Sequence, residues 1–522
     1  MRPPVWQPPV DLSPAEQAIV VRIRRAKLFV FLRRVRHALF SPAFQTELAG
    51  IYRDHDQGHP AVPPAQLALA TLLQAYTGVS DDEVIEALTM DRRWQLVLDR
   101  LDCTQPPFSK ATLVRFRQAL IAHDLDRRLL ERTLEVADQA GGFDPRHLRG
   151  ALDSSPLWGA GRVEDTYNLL GHALRKALGV LTRQQGRGLA AVATDAGAAL
   201  VGGTSLKAAL DLDWDDPTAR AQALPALLAA LDAVEQTRAG HPAGAAPAVQ
   251  ASLTTAHQVV AQDLERGPDG APRLRTGVAP DRRISLEDAA MRHGRKSRRE
   301  RVNGYTRHVL HDLDTQLVRA VGITPANVPE AVVTDAIAAD LAAQQATLSE
   351  LHIDRAYLSS RLVRERPPDL AIYCKAWPVR SGAYFPKAAF QLDWAAGTLR
   401  CPDGVPLPLT LGETVRFPAE TCAACALRAR CTTSPQGRSV TLHPDERLLV
   451  ELRERQATPA GRAKLRERVA VEHTLAHTGR WQGWRARYRG VRKNLFDWRR
   501  VAVIHNLHVL QRGRAAALPD VA

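Results

Sequence analysis

Apolar residues recur at helical spacing through the first 145 positions, and Ser, Pro and Gly punctuate them. Ser13-Pro-Ala-Glu16 supplies an N-cap, a proline at the first helical position and a Glu that closes a capping box. Pro64-Ala-Gln-Leu-Ala-Leu-Ala-Thr-Leu-Leu-Gln-Ala-Tyr predicts a second helix, and Ser80-Asp-Asp-Glu83 opens a third after the turn Thr77-Gly-Val, a helix-turn-helix-like pair. A further helix is predicted to start at Ser109. From about 164 to 265 the chain is rich in Ala and Leu and mostly helical in pattern, with Pro/Gly/Ala breaks near 240 to 248. Strand character appears first in Leu148-Arg-Gly-Ala-Leu-Asp, which reads as a strand ending in a turn at Asp153. It returns at Arg283-Ile-Ser-Leu, and then across Gly304 to Val321, where Asp314-Thr-Gln predicts a hairpin turn. A helix after Asn327-Val-Pro-Glu330, a strand ending at Asp354, a strand over Asp369-Leu-Ala-Ile-Tyr-Cys and a long helix bearing Glu472 follow. Asn494 to Leu507 reads as an amphipathic helix packing back on the core.

The order strand, hairpin, helix, strand, helix, strand, insertion, helix suits an α/β fold, mostly helical overall, with an RNase H-like mixed-sheet core. At 522 residues the chain can bury several cores. The expected division is an all-α N-terminal domain at 1–145, the first core strand at 146–163, a helical insertion at 164–280 and the rest of the sheet at 281–377. A Cys-rich insertion at 378–455 and basic C-terminal helices at 456–522 complete it.

Charge sharpens this reading. The formal net charge is +14 and the pI about 9.9, which favours a polyanionic partner. Codon bias accounts for Arg in place of Lys but not for clustering. Residues 461 to 500 hold Arg462, Lys464, Arg466, Arg468, Arg480, Arg485, Arg487, Arg489, Arg492, Lys493, Arg499 and Arg500 against Glu467, Glu472 and Asp497. Phosphate contacts are expected from that run, from Arg115 and Arg117, and from Arg295, Lys296 and Arg298. Trp481, Trp484 and Tyr488, interleaved with the arginines, could stack on unpaired bases or pack inward. Met1-Arg-Pro-Pro-Val-Trp has no apolar signal core and no apolar run is long enough for a bilayer, so a cytoplasmic protein is expected.

Two aspartates at strand ends, Asp153 and Asp354, and a helical Glu472 form the acid set that a two-metal phosphodiester-cutting site requires, since Mg²⁺ takes hard oxygen ligands from several elements. Asp312 and Asp314 fit the hairpin turn instead, and Asp335 an exposed helix. His352 and His473 flank two of the acids as supporting or solvent-facing groups. A second constellation is Cys401 with Cys422-Ala-Ala-Cys425 and Cys431, which has the ligand count of a structural Cys₄ zinc site; an iron–sulfur cluster or a redox pair is the rival. Cys103 and Cys374 read as small buried hydrophobes.

Beyond these patterns, long segments resemble bacterial insertion-sequence transposases of the DDE type. His59-Pro-Ala-Val-Pro-Pro-Ala-Gln-Leu through Ser109-Lys-Ala-Thr-Leu-Val-Arg-Phe-Arg is similar to the family's helical N-terminal domain. Leu152-Asp-Ser-Ser-Pro-Leu-Trp-Gly-Ala-Gly-Arg-Val-Glu-Asp-Thr-Tyr-Asn-Leu-Leu resembles the segment bearing its first acid. Met291-Arg-His-Gly-Arg-Lys-Ser and Gly304-Tyr-Thr-Arg-His-Val resemble stretches before the second. Arg466-Glu-Arg-Val-Ala-Val-Glu-His and Arg485-Ala-Arg-Tyr-Arg-Gly-Val-Arg-Lys-Asn-Leu resemble its C-terminal signature. The resemblance implies that Asp153, Asp354 and Glu472 bind two Mg²⁺ (or Mn²⁺) ions about 3.5–4 Å apart, with Asp153 bridging. In one branch of the family a Tyr, Arg, Glu and Lys stand at fixed spacing. Arg468 and Glu472 keep theirs, whereas Leu465 occupies the Tyr position and Gly479, beside Arg480, the Lys position. Arg468 and Arg480 are therefore the candidates to grip the terminal phosphate. The implied activity is binding of transposon terminal inverted repeats, metal-dependent cleavage and strand transfer into target DNA by a nucleoid-associated homodimer. Two alternatives stay open: a transposase-derived DNA-binding protein without activity, and an RNase H-like nuclease without strand transfer.

Overall fold

A computed structural model describes residues 3–52, 61–141, 147–297, 299–377 and 382–514. Arg298 and the boundaries expected near 145 and 378 lie outside them. The organising element is a six-stranded sheet. Its strands are β1 (His147–Trp158), β2 (Arg292–Arg295), β3 (Arg301–Asp312), β4 (Val318–Pro325), β5 (Thr347–Ile353) and β6 (Ala371–Cys374). The spatial order is β2-β3-β1-β5-β6, with β4 also paired to β3. β1 is antiparallel to β3 and parallel to β5, and β5 is parallel to β6. The expected hairpin joins β3 and β4, and Asp312 closes its turn by accepting from the Asp314 N–H (3.1 Å) and the Thr315 hydroxyl (2.6 Å).

Alternation along β1 sends its side chains to two different cores. Leu148 and Leu152 join Leu310, Leu351 and Ile353 beneath α2 (Thr334–Ala343), whose Ile337 and Leu341 are buried there. Ala151 joins Val309 and Val321 on the opposite face, under Val471 and Leu475 of α3 (Val469–Gln482) and under α4 (Val491–Arg514). The N-terminal helices share this second core. α1 (Pro64–Thr77) is buried at every residue from Pro64 to Ala75, and Arg500 of α4 donates to the Thr71 carbonyl and to Gln74 Oε1, both at 3.1 Å. A helix enclosed on all sides cannot lie in a DNA groove; α1 is the pillar that joins the helical region to the sheet. The capping boxes at Ser13 and Ser80 and the N-cap at Ser109 form as expected, each contributing about 1 kcal/mol.

One expected strand is absent. Arg283-Ile-Ser-Leu is not a strand: the Ile284 carbonyl accepts from the Glu164 N–H (2.9 Å), while the Arg283 side chain donates to the Ser285 and Leu286 carbonyls, so the segment is an irregular clip. The 164–265 region is helical and has its own core, in which Leu169, Leu170 and Leu174 meet Leu224, Leu227 and Leu253. A further small core, built on Phe390, Leu399, Phe417 and Val440, underlies the cysteine-bearing segment.

β3 crosses β1 closely at Gly304. A Cβ there would stand 2.3 Å from both the Gly159 nitrogen and the Leu157 carbonyl oxygen, backbone atoms that cannot move independently. Gly304→Ala is expected to lower stability by about 2–4 kcal/mol, seen as a lower denaturant midpoint.

Candidate active site

The parallel register between β1 and β5 ends at Leu152 opposite Ile353. The next residues are Asp153 and Asp354, so the two carboxylates emerge side by side where the strands part. Asp354 sits at a strand end as expected, N-capping a short turn through the Arg355 N–H (2.6 Å). Asp153 does not. β1 runs on to Trp158 because its antiparallel pairing with β3 continues past the point where β5 leaves. The acid is therefore mid-strand, and what ends beside it is the neighbouring strand.

Glu472 comes from the first turn of α3, and Arg468 ties it to the sheet. One guanidinium nitrogen of Arg468 donates to Asp153 Oδ2 at 2.6 Å and another to Glu472 Oε1 at 3.0 Å. Burial raises the Asp153 carboxyl above its ordinary range; Arg468 and the Ser154 N–H oppose the shift, while the Glu472 and Asp354 charges reinforce it. Asp153 thus feels both other acids, and Arg468 supplies positive charge to it and to Glu472. Asp153 and Asp354 also line a cavity of about 230 Å³ with Arg295, Lys296 and Glu330.

Among the described residues, the trio whose donor atoms all lie within 4.8 Å of one another is Glu350, His352 and Glu467, not Asp153, Asp354 and Glu472. The Glu350 trio is already neutralised. Arg149 donates to Glu350 (3.0 Å) and to Glu467, and Lys464 donates to Glu350 at 2.9 Å. His352 is buried, stacked on Tyr373 and 3.1 Å from Glu350, whereas His473 is exposed. Burial alone would raise Glu350, but Lys464, His352 and Arg149 outweigh it and bring it down to about 2. A depressed carboxylate contributes stability fully above its unfolded value near 4.5 and loses it as pH falls through the folded value. Glu350→Gln is therefore expected to cost about 1–3 kcal/mol at pH 7, with the deficit shrinking between about pH 4.5 and pH 2 in denaturant titrations.

The basic candidates divide by exposure. Arg115, Arg295, Lys296, Arg480, Arg485 and Lys493 are exposed. Arg489 is exposed but pairs with Glu287 (2.6 Å). Three are corrections, because intramolecular partners occupy them. Arg117 is buried against Asp81 (2.8 Å) with its guanidinium over the Tyr488 ring. Arg487 donates to the Gly78 and Val79 carbonyls, and Arg492 pairs with Asp126 at 2.5 Å. Arg499 and Arg500 are buried too. Among the aromatics Trp484 is 70% exposed, while Trp481 stacks on His508 and Tyr488 packs on Phe496.

The four clustered cysteines line one cavity of about 30 Å³ with Asp403. The Leu427 N–H donates to Cys425 Sγ (3.3 Å) and the Arg438 N–H to Cys422 Sγ (3.4 Å). Burial raises the Cys431 thiol, Arg438 opposes it, and the other three sulfurs reinforce the rise. Cys374 is buried as expected; Cys103 is half-exposed and bonded to the Gln105 carbonyl. No described helix is long and apolar enough to cross a membrane.

Sequence reasoning missed Glu330, which no local pattern marks, and Arg149, whose partners lie about 165 to 318 positions away in the chain.

Comparison with known families adds two matches. A model described as "Transposase DDE domain" covers residues 401–511, including Glu472, and one described as "Transposase domain (DUF772)" covers residues 22–119. Asp153 and Asp354 lie between the two matched segments. No curated protein and no solved structure matches the chain. Transposase domains at both ends of one polypeptide, joined through the sheet that bears Asp153 and Asp354, support an insertion-sequence DDE transposase.

Proposed function

We propose that the chain cuts DNA at transposon ends and joins those ends to target DNA, with Asp153, Asp354 and Glu472 as its catalytic acids. The observation that carries this reading is their convergence: Asp153 on β1 lies beside the point where β5 ends at Asp354, and Glu472 on a helical turn is tied to Asp153 through Arg468. The sheet order, with its antiparallel β3 and parallel β5 and β6 flanking β1, supports an RNase H-like core.

The donor set fits hard divalent cations, Mg²⁺ or Mn²⁺, two per site: all three groups are carboxylates, and Asp153 is hard to ionise without added positive charge. Bound there, such cations would neutralise developing phosphate charge and lower the pKa of the attacking hydroxyl. The chain's own residues provide the rest. Asp153 is fixed by its backbone pairing on β1, Asp354 by its cap, and Glu472 by its helix. Arg468 binds Asp153 and Glu472 from between them and is placed to pass to a terminal phosphate once those carboxylates are otherwise satisfied; Arg480 is the second candidate on the same helix. Arg295 and Lys296 line the approach to the acids and suit the DNA backbone, as do Arg115, Arg485 and Lys493 on the surface.

The cysteine cavity suits structural zinc: four thiols face one space, two accept N–H bonds, and none of the described basic groups neutralises all four. An iron–sulfur cluster uses the same ligands. Two transposon ends must be held together for joining, which a homodimer on DNA would do.

The experiment supplies purified protein with Mg²⁺ and DNA carrying its own element's ends, then maps breaks and joints. Cleavage with joining supports the proposal. Cleavage alone indicates a nuclease, binding alone a DNA-binding derivative, and either result overturns it.

A further inference from the structure

A third carboxylate lines the cavity of Asp153 and Asp354, reaching it from the other face of β1. Asp153 faces α3, so its neighbour Ser154 points the opposite way, toward the turn Glu330–Val333. That turn lies close because Gly322 on β4 has no side chain: a Cβ there would stand 2.2 Å from Val333 Cγ2. Glu330 lines the cavity with Asp153 and Asp354, and its carboxyl feels the Ser154 hydroxyl and the Tyr357 phenol beside it.

Behind Glu330 stands a buried polar chain. Tyr357 and His308 are both fully buried. The Tyr357 oxygen lies 2.8 Å from His308 Nδ1, and His308 Nε2 lies 3.0 Å from Thr324 Oγ1. In one tautomer of His308, Thr324 donates to Nε2 and the Nδ1–H donates to the tyrosine oxygen, which leaves the phenol hydrogen to point outward, toward Glu330. Burying three polar side chains in a row is favourable only when each is satisfied. The outer partner that completes this row is the cavity carboxylate.

Resting on the proposed function, we infer that Glu330 is a fourth carboxylate ligand for the divalent cations of the active site, held in place by Tyr357, His308 and Thr324. Burial and the neighbouring Asp153 and Asp354 charges make its ionised form costly, against the hydrogen bonds from Ser154 and Tyr357. A cation shared with those aspartates removes that cost. Tyr357 and His308 act through Glu330 and are positioning residues.

The test uses the full chain and the rise in melting temperature on adding Ca²⁺, which reports cation binding without turnover. Glu330→Gln is expected to leave the cation-free melting temperature unchanged or raised, and to increase the Ca²⁺ concentration giving half the shift at least five-fold. Tyr357→Phe should increase it two- to three-fold. With DNA ends present, E330Q should need correspondingly more Mg²⁺, with Mn²⁺ restoring more of the rate. Asp153→Asn serves as the reference. If D153N removes the Ca²⁺ shift while E330Q and Y357F both match wild type, the assignment of Glu330 is overturned and the triad stands. If D153N itself keeps the full shift, the acid site as a whole is misplaced. Should E330Q fold poorly, the Y357F titration decides alone.

Discussion

Asp153→Asn is expected to lower end cleavage and strand transfer by at least about a thousand-fold, equivalent to about 4 kcal/mol of transition-state stabilisation. Asn keeps the shape of Asp and removes its charge, so the fold should survive. Asp153 sits where burial already disfavours ionisation, and Arg468 keeps Glu472 as a partner when Asp153 is neutralised. Glu472→Gln should be equally damaging and even easier to fold, because its side chain is 52% exposed and contributes little to packing. Asp354→Asn completes the set. Groups that hold the same cations act as a unit, so a double variant should be no worse than either single one. DNA affinity should change little, since Arg295, Lys296 and the surface arginines are untouched. Footprinting alongside cleavage on one substrate separates the two effects. Cleavage retained within ten-fold by D153N or E472Q in Mg²⁺ would sink the assignment.

What was legible in the chain follows the range of the forces involved. Helix starts at Ser13, Ser80 and Ser109 depend on bonds spanning three residues, and the β3–β4 turn on Asp312 and Thr315, so local sequence carries them. Asp354 and Glu472 are also set locally, one as a cap and one by helical phase. Asp153 was legible as an acid but not in its position, because its surroundings depend on where β5 departs, about 200 residues downstream. Charge counting misled for the same reason. Residues 461–500 look unopposed when read alone, yet Arg492 and Arg499 reach Asp124 and Asp126, while Arg487 reaches the turn after α1. Much of the basic C-terminal run therefore fastens α4 and its approach to the N-terminal helices, and the DNA-facing charge is smaller than the net excess suggests. Glu330 was invisible because its meaning comes entirely from Ser154 and Tyr357, brought in from two other elements.

Removing the metal expected at the cysteine cavity should unfold that module while sparing the sheet. The segment from 382 to 442 has short strands of three residues each, and its buried apolar set is small, with Phe390, Leu399, Phe417, Val440 and Leu442 at its centre. A core of that size falls well short of what ordering about sixty residues requires. Structural zinc in small Cys₄ modules supplies about 10–16 kcal/mol, enough to decide between folded and unfolded. Cys425→Ser, or chelation under reducing conditions, should therefore abolish amide protection across 382–442 in hydrogen exchange. Protection in β1, β3 and α1 should hold, because their cores are built from other residues. The same treatment should weaken catalysis less than Asp153→Asn, since Glu472 is carried by α3, which packs directly on β1 through Val471 and Leu475. Metal analysis of reductant-purified protein distinguishes one zinc per chain from iron with sulfide. Metal-free protein whose 382–442 amides stay protected would remove the structural role of the site.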